Sequence, residues 1–209
     1  MAGSGERFGD PIPKQFHLLH GKRIYLWTLH QFLESGLFEE MILVCSSDWK
    51  EEITKEVGSK AQVVLGGKTR QGSSYQGLLA AGKSTEIIVI HDAVRPFVSK
   101  RILMENIETA RKYGAVDTCI PSYDTLVHAP QKDKIQSIPS RSEYFRGQTP
   151  QSFSYPLILK AHEVSNRTGA TDDCQLLLDL SREIRIVEGE ERNIKITTPL
   201  DLSIAEILS

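Results

Sequence analysis

The sequence predicts an α/β protein built on a mostly parallel sheet with helices on both faces. Two observations carry this. Short, continuously apolar, β-rich runs alternate along the chain with amphipathic helical patterns. Strands that are apolar on both sides belong to sheets covered on both faces. A length of 209 residues suits a single core. No internal repeat, low-complexity tract or linker divides the chain, so residues 1–209 are read as one domain.

Each element has its own signal. MILVC (41–45) reads as a short buried strand and EIIVIH (86–91) as a stronger one. QVVL (62–65), AVDTCI (115–120) and IRIVEG (184–189) are further strands. Ile24 to Leu33 reads as a helix, with Tyr25, Leu29 and Phe32 or Leu33 on one face. Ser73 to Ala81 is a second helix. Arg101 to Tyr113 is a third, with Leu103, Ile107 and Ala110 in register and Gly114 as its stop. Thr198 and Pro199 make an N-cap and first-turn pair for a last helix through Ile207. Residues 121–150 break the alternation. Their two short alternating pieces read as a β-hairpin arm leaving the sheet at about 121–148, packed on a partner subunit.

Composition excludes several classes. Hydrophobic content is 40% and charged content 25%, the proportions of a soluble globular protein. The net charge of -2 gives no nucleic-acid footprint. No apolar run approaches the ~20 residues that span a bilayer. Cys45, Cys119 and Cys174 are few, widely spaced and odd in number. They read as reduced thiols of a cytoplasmic protein, not a disulfide frame or zinc site.

Candidate chemistry falls at strand ends and loops. In the opening MAGSGERFGDPIPKQF, Gly3 and Gly5 let backbone N–H groups approach an anion, while Arg7 and Lys14 add cations suited to phosphate. A polar tail with incidental cations has the same composition. Two nucleotide motifs are rejected: G-x-G-x-x-G fails at Phe8, and the P-loop ending at Gly67-Lys68-Thr69 fails at Gln62. GGKTRQGSSYQG (66–77) follows a strand and opens a helix, where Arg70 and Ser73 face either a polar ligand or an ordinary capped turn. HDAVRP (91–96) directly follows the strongest strand, where open α/β sheets bind ligands. Asp92 there can hold a metal ion or a ribose hydroxyl, and Arg95 a phosphate. His91 is either functional or a satisfied strand-end histidine. Arg141 and Arg146 flank a Gln-Thr-Pro-Gln run, and Lys195 alternates in facing with Ile194 and Ile196 in a strand-like pattern. Cations concentrated in an acidic protein point to an anionic substrate with several phosphates. No Ser/His/Asp order or Cys/His pair supports covalent catalysis.

Taken together, GSGERFG…PKQF, GGKTRQGSSYQG, IHDAVRPF, GQTPQSF, TDD and NIKITTPLDL resemble the sugar-phosphate cytidylyltransferases over nearly the whole chain. The nearest branches are the methylerythritol 4-phosphate and ribitol 5-phosphate enzymes. The resemblance implies a Rossmann-like fold, a homodimer exchanging its arm, CTP and a polyol phosphate as reactants, and Mg²⁺. It implies that Ala2, Gly3, Gly5, Gly67, Arg70, Ser73 and Asp92 hold the nucleotide, with Asp92 near the metal. Arg7, Lys14 and Lys195 would be catalytic cations. Ala93, Arg95, Thr125, Arg141 and Thr149 would bind the sugar phosphate, Thr125 and Arg141 from a neighbouring subunit. Methylerythritol phosphate is the first expectation for the acceptor and ribitol phosphate the second. The family carries an apolar strand before its glycine loop and this sequence opens on the loop, so a strand is expected to be missing. That feature also favours a third reading, a catalytically silent nucleotide-binding subunit. Lys68 stands where the methylerythritol branch often carries an acid.

Overall fold

The structure, a computed structural model, describes residues 12–167 and 169–209. Two short antiparallel strands, β1 (Leu18–Leu19) and β2 (Lys22–Arg23), lead into helix α1 (Ile24–Ser35). Strand β3 (Ile42–Cys45), helix α2 (Ser47–Val57) and strand β4 (Gln62–Leu65) form a parallel crossover, Ile42 pairing with Gln62. Helix α3 (Arg70–Ala81), strand β5 (Ile87–Ile90), helix α4 (Lys100–Tyr113) and strand β6 (Ala115–Pro121) follow. After the excursion come strand β7 (Phe145–Ser154), helices α5 (Tyr155–Val164) and α6 (Cys174–Asp179), strand β8 (Arg185–Glu188) and helix α7 (Pro199–Leu208).

Local chemistry explains the boundaries. Helix α1 stops at Gly36, whose φ of 68° is left-handed and whose N–H reaches the Leu33 carbonyl. The Ser99 hydroxyl caps α4 by accepting from the Ile102 N–H, satisfying a helix-start donor that would otherwise go unpaired. Thr198 and Asp201 form a reciprocal capping box at α7, with Pro199 in its first turn.

The sheet differs from the expectation. The larger sheet has the order β5-β7-β6-β8 and is mixed: β7 runs antiparallel to both neighbours, and β6 and β8 are parallel. The cause is β7, which returns from the excursion and inserts between β5 and β6. Its buried side chains include Gln148, Thr149, Gln151 and Ser152, so no apolar run marks it. Strands β3 and β4 form a separate two-stranded sheet. The 192–197 segment is not a strand, although Ile196 donates its N–H to the Val94 carbonyl and is fully buried.

Helices cover both faces. Leu78 of α3 packs with Phe153, Tyr155 and Ile158 on one side, where Ile88 and Ile90 of β5 join it. On the other side Phe32 of α1 packs with Ile102 and Leu103 of α4 and with Val89 of β5. Residues 122–144 turn back on themselves at a single bridge, where His128 donates its N–H to the Ser137 carbonyl at 2.9 Å. Cys45, Cys119 and Cys174 are free and buried. Among the described residues, no helix is long and apolar enough to cross a membrane.

Candidate active site

The loop after β5 is built around one carboxylate. Lys195 Nζ lies 2.8 Å from Asp92 Oδ2, and Arg95 Nε lies 3.4 Å from the same oxygen. Burial pushes the Asp92 pKa up, but the Lys195 and Arg95 charges outweigh it and hold the carboxyl down at about 2. Asp92 is therefore ionised throughout the physiological range.

A buried polar relay fixes the backbone on which Asp92 sits. The Asp92 N–H donates to Thr149 Oγ1 at 3.0 Å. Thr149 Oγ1 lies 3.1 Å from His91 Nδ1, and His91 Nε2 lies 3.1 Å from the Arg95 carbonyl. A carbonyl only accepts, so Nε2 carries the proton, Nδ1 accepts from the threonine hydroxyl, and the hydroxyl oxygen remains free to accept from Asp92. Burial pushes the His91 pKa down to about 4, which keeps this tautomer neutral. His91 is thus the satisfied strand-end residue of the two readings.

A second set ties this loop to residues 193–195. Arg95 Nη1 donates to the Asn193 carbonyl at 2.7 Å, and Asn193 Nδ2 donates to the Thr149 carbonyl at 2.8 Å. Gln148 Nε2 donates to the Glu190 carbonyl at 2.8 Å. Arg95 is only 8% exposed. Its guanidinium clamps Asp92 and the Asn193 carbonyl. Thr149 is likewise buried within the relay.

The third wall is the loop opening α3. Gly67 has no room for a side chain: a Cβ there would stand 2.7 Å from the Gly72 carbonyl carbon. Thr69 caps the helix by accepting from the Gly72 N–H, and Ser73 Oγ donates to the Thr69 carbonyl at 2.9 Å. Arg70 lines the cavity, and its Nη1 meets Asp173 Oδ2 at 2.8 Å. Asp173 is fully buried, lies 3.1 Å from His162 Nε2, and accepts from Ser74 Oγ at 3.1 Å. Burial opposes its ionisation, yet His162 and Arg70 hold its pKa below the ordinary value. The TDD motif carries Asp173, but nothing in the sequence links it to Arg70, about a hundred residues earlier.

Lys14, Gly67, Arg70, Ser73, Asp92, Ala93 and Lys195 all line one cavity of about 1440 Å³, and Lys68 lines it too. Lys14 and Lys195, 181 residues apart in sequence, thus face a common space. Lys14 also helps hold the pKa of Asp201 down, behind the opposing effect of burial and the hydrogen bonds from Thr197 and Thr198. Thr125 and Arg141 lie in the 122–144 excursion, exposed, with Arg141 Nη1 donating to the Tyr123 carbonyl at 2.8 Å. Neither lines the cavity of its own chain. Ala2, Gly3, Gly5 and Arg7 lie outside the described residues.

A cavity walled by lysines, a glycine turn and one cation-clamped carboxylate, at the end of a β-strand in an α/β fold, has the features expected of a nucleotide-handling transferase. Comparison with known proteins narrows this class. The family model for 2-C-methyl-D-erythritol 4-phosphate cytidylyltransferase (IspD) matches residues 1–209. The 4-diphosphocytidyl-2C-methyl-D-erythritol synthase of Anaerococcus prevotii superposes with a TM-score of 0.86 at 30% identity, covering 99% of this chain and 91% of that one. The 2-C-methyl-D-erythritol 4-phosphate cytidylyltransferase of Thermus thermophilus gives 0.83 at 32% identity, covering 99% and 95%. That of Francisella tularensis gives 0.83 at 27% identity, covering 100% and 96%. The chain belongs to the IspD family of cytidylyltransferases.

Proposed function

We propose that the protein couples CTP to 2-C-methyl-D-erythritol 4-phosphate, releasing pyrophosphate. The observation that carries this reading is the gathering of Lys14, Lys195 and the Asp92 loop around one cavity beside the Gly67 turn. An oxygen of the acceptor phosphate attacks the α-phosphorus of CTP. A new P–O bond forms as the bond to the β-phosphate breaks, and pyrophosphate takes the electron pair. The attacking phosphate is already ionised at neutral pH, so no general base is needed.

The work left to the protein is to bring two anions together and to offset charge on the five-coordinate phosphorus. Lys14 and Lys195 supply positive charge from two walls, and Arg7 supplies more in the family pattern. Asp92 holds Lys195 in place, while the Thr149 and His91 relay holds Asp92. The Gly67 turn offers backbone donors at close range.

Mg²⁺ fits this donor set. Among the described residues no group of three or more His, Cys, Asp or Glu forms a metal cage. Mg²⁺ in nucleotide enzymes commonly needs only one or two carboxylates beside the phosphates, and Asp92 can be that carboxylate. When bound, the ion would offset phosphate charge.

The acting unit is a homodimer through the 122–144 excursion. Its exposed Tyr123, Val127, Ile135 and Ile138 are apolar surface suited to a second copy, and Thr125 and Arg141 would reach the neighbour's acceptor site. Pyrophosphate release with CTP, Mg²⁺ and either methylerythritol 4-phosphate or ribitol 5-phosphate tests the reading. Turnover with the first substrate supports it, turnover with ribitol phosphate alone reassigns the acceptor, and turnover with neither removes the activity.

A further inference from the structure

Lys14 opens a single 3-10 turn, Lys14–Phe16. The Phe16 N–H donates to the Pro13 carbonyl at 2.9 Å and the His17 N–H to the Lys14 carbonyl at 3.2 Å. Turns of this kind are short and their hydrogen bonds are poorly aligned, so side-chain packing must hold this one. Phe16 does so. It is buried and joins a cluster with Tyr25 and Leu29 of α1 and with Ile53 and Val57 of α2. A 3-10 turn takes about three residues, so side chains two positions apart point in different directions. Phe16 enters the core while Lys14 lines the cavity. Whatever fixes the ring therefore fixes where the amine starts from.

The Phe16 ring is gripped by three neighbours. Trp49 of α2 stacks on it, with ring centres 3.9 Å apart and planes 20° apart. Tyr25 of α1 meets it edge-on, at 5.8 Å and 77°. The Arg23 guanidinium lies 5.7 Å from the Phe16 ring centre and 5.9 Å from that of Trp49, within cation–π range of both. Helix α2 holds the guanidinium there. Arg23 Nη1 donates to Glu56 Oε2 at 3.2 Å, and Nη2 pairs with Glu52. The Tyr25 hydroxyl donates to the same Glu56 oxygen. Arg23 is 23% exposed at its side chain, Glu52 49% and Glu56 30%. Ion pairs so open to water add little to stability. None of Arg23, Trp49, Glu52 and Glu56 lines the cavity. Their effect is geometric: a planar cation is pinned against two stacked rings.

We propose that Arg23 is a positioning residue for the transfer reaction: together with Trp49 it sets the Phe16 ring, and Phe16 sets the turn that aims Lys14 into the cavity. The inference rests on Lys14 acting as a cation on the reacting phosphates. A displacement of about 1 Å at such a group can cost on the order of 100-fold in rate, so a contact that adds little to stability can still matter greatly to kcat.

The test is a mutant cycle read by pyrophosphate release, with Tm recorded for every protein. Arg23→Ala should lower kcat by ~10-fold or more while the KM for CTP moves by less than ~3-fold. In a Lys14→Ala background the same Arg23→Ala change should alter kcat by less than ~2-fold, because the group it acts through is gone. Trp49→Leu should behave as Arg23→Ala does, and Trp49→Phe, which keeps a stacked ring, should retain kcat. Equal losses with and without Lys14 would overturn the proposal, since they would mean a general structural role. So would an unchanged kcat in Arg23→Ala, or a Trp49→Phe protein as impaired as Trp49→Leu. If Lys14→Ala is itself fully active, the reading of Lys14 fails and the inference falls with it. If Lys14→Ala is impaired and Arg23→Ala is not, the inference alone fails.

Discussion

Replacing Lys195 with glutamine keeps most of the side chain's bulk and removes its charge. In the intact protein the Lys195 and Arg95 charges hold the Asp92 carboxyl down at about 2, against an ordinary value of 3.8. Its burial acts upward, and the Lys195 amine at 2.8 Å is the leading downward influence. In Lys195→Gln the burial remains, opposed only by Arg95, at the longer distance of 3.4 Å, and more weakly by His91. The Asp92 pKa should therefore rise to the ordinary value or above, a change of about 2 units. At 1.36 kcal/mol per unit this is about 2–3 kcal/mol of coupling. The sign for stability follows from the depressed folded pKa. The contribution of Asp92 is fully present above about pH 4 and is lost as pH falls toward 2, and Lys195→Gln should flatten that acid limb. Carboxyl ¹³C shifts recorded against pH measure the titration directly, and urea unfolding at pH 7 and pH 3 measures the linkage. An Asp92 that still titrates near 2 in the variant would refute the view that Lys195 sets this carboxylate.

Three further outcomes are expected. Lys14→Ala should lower kcat by ~100-fold or more, the cost of losing one preorganised transition-state donor; an unchanged kcat in the pyrophosphate-release assay would remove Lys14 from the machinery. Arg141→Ala and Lys14→Ala proteins, each inactive alone, should regain part of their activity when mixed and re-dimerised. Failure of the mixture, with mixed dimers confirmed by mass spectrometry, would show that the excursion does not reach a neighbour's site. Asp173→Asn should destabilise the fold by about 3 kcal/mol in urea titration, because His162 and Arg70 lose the buried carboxylate that pairs them; a loss below about 0.5 kcal/mol would show that Asp173 does not hold the α3 loop.

Reading from sequence worked where a single physical signal dominated. The apolar runs at 41–45, 62–65 and 86–91 became β3, β4 and β5 within a residue or so, because no other structure buries such short apolar runs between helices. The facing read at Lys195 agrees with the structure, where Ile196 is buried and the lysine turns the other way, onto Asp92, although 192–197 is not a strand. Strand β7 escaped because its inward side chains are amides and hydroxyls. Ser152 Oγ donates to Asn106 Oδ1, and Gln151 Nε2 donates to Asp117 and Asp172, so the strand is buried by hydrogen bonding and not by apolar periodicity. The missed strand is also why the mixed character of the sheet was missed. Arg95 and Arg70 show the complementary limit. A cation near a ligand loop is equally well used to hold that loop, and the partners that hold Arg95 and Arg70, the Asn193 carbonyl and Asp173, are distant in sequence.

The sealed cysteines have a practical consequence. Burial pushes the Cys45 and Cys174 thiols up, and with the Asp117 charge raises Cys119 to about 12. Alkylating reagents attack thiolates, so the native molecule should stay silent toward iodoacetamide while an opened one is labelled. The protein thus carries three built-in clocks. Cys45 on β3, Cys119 on β6 and Cys174 on α6 each time the opening of a different part of the molecule, with no added reporter group.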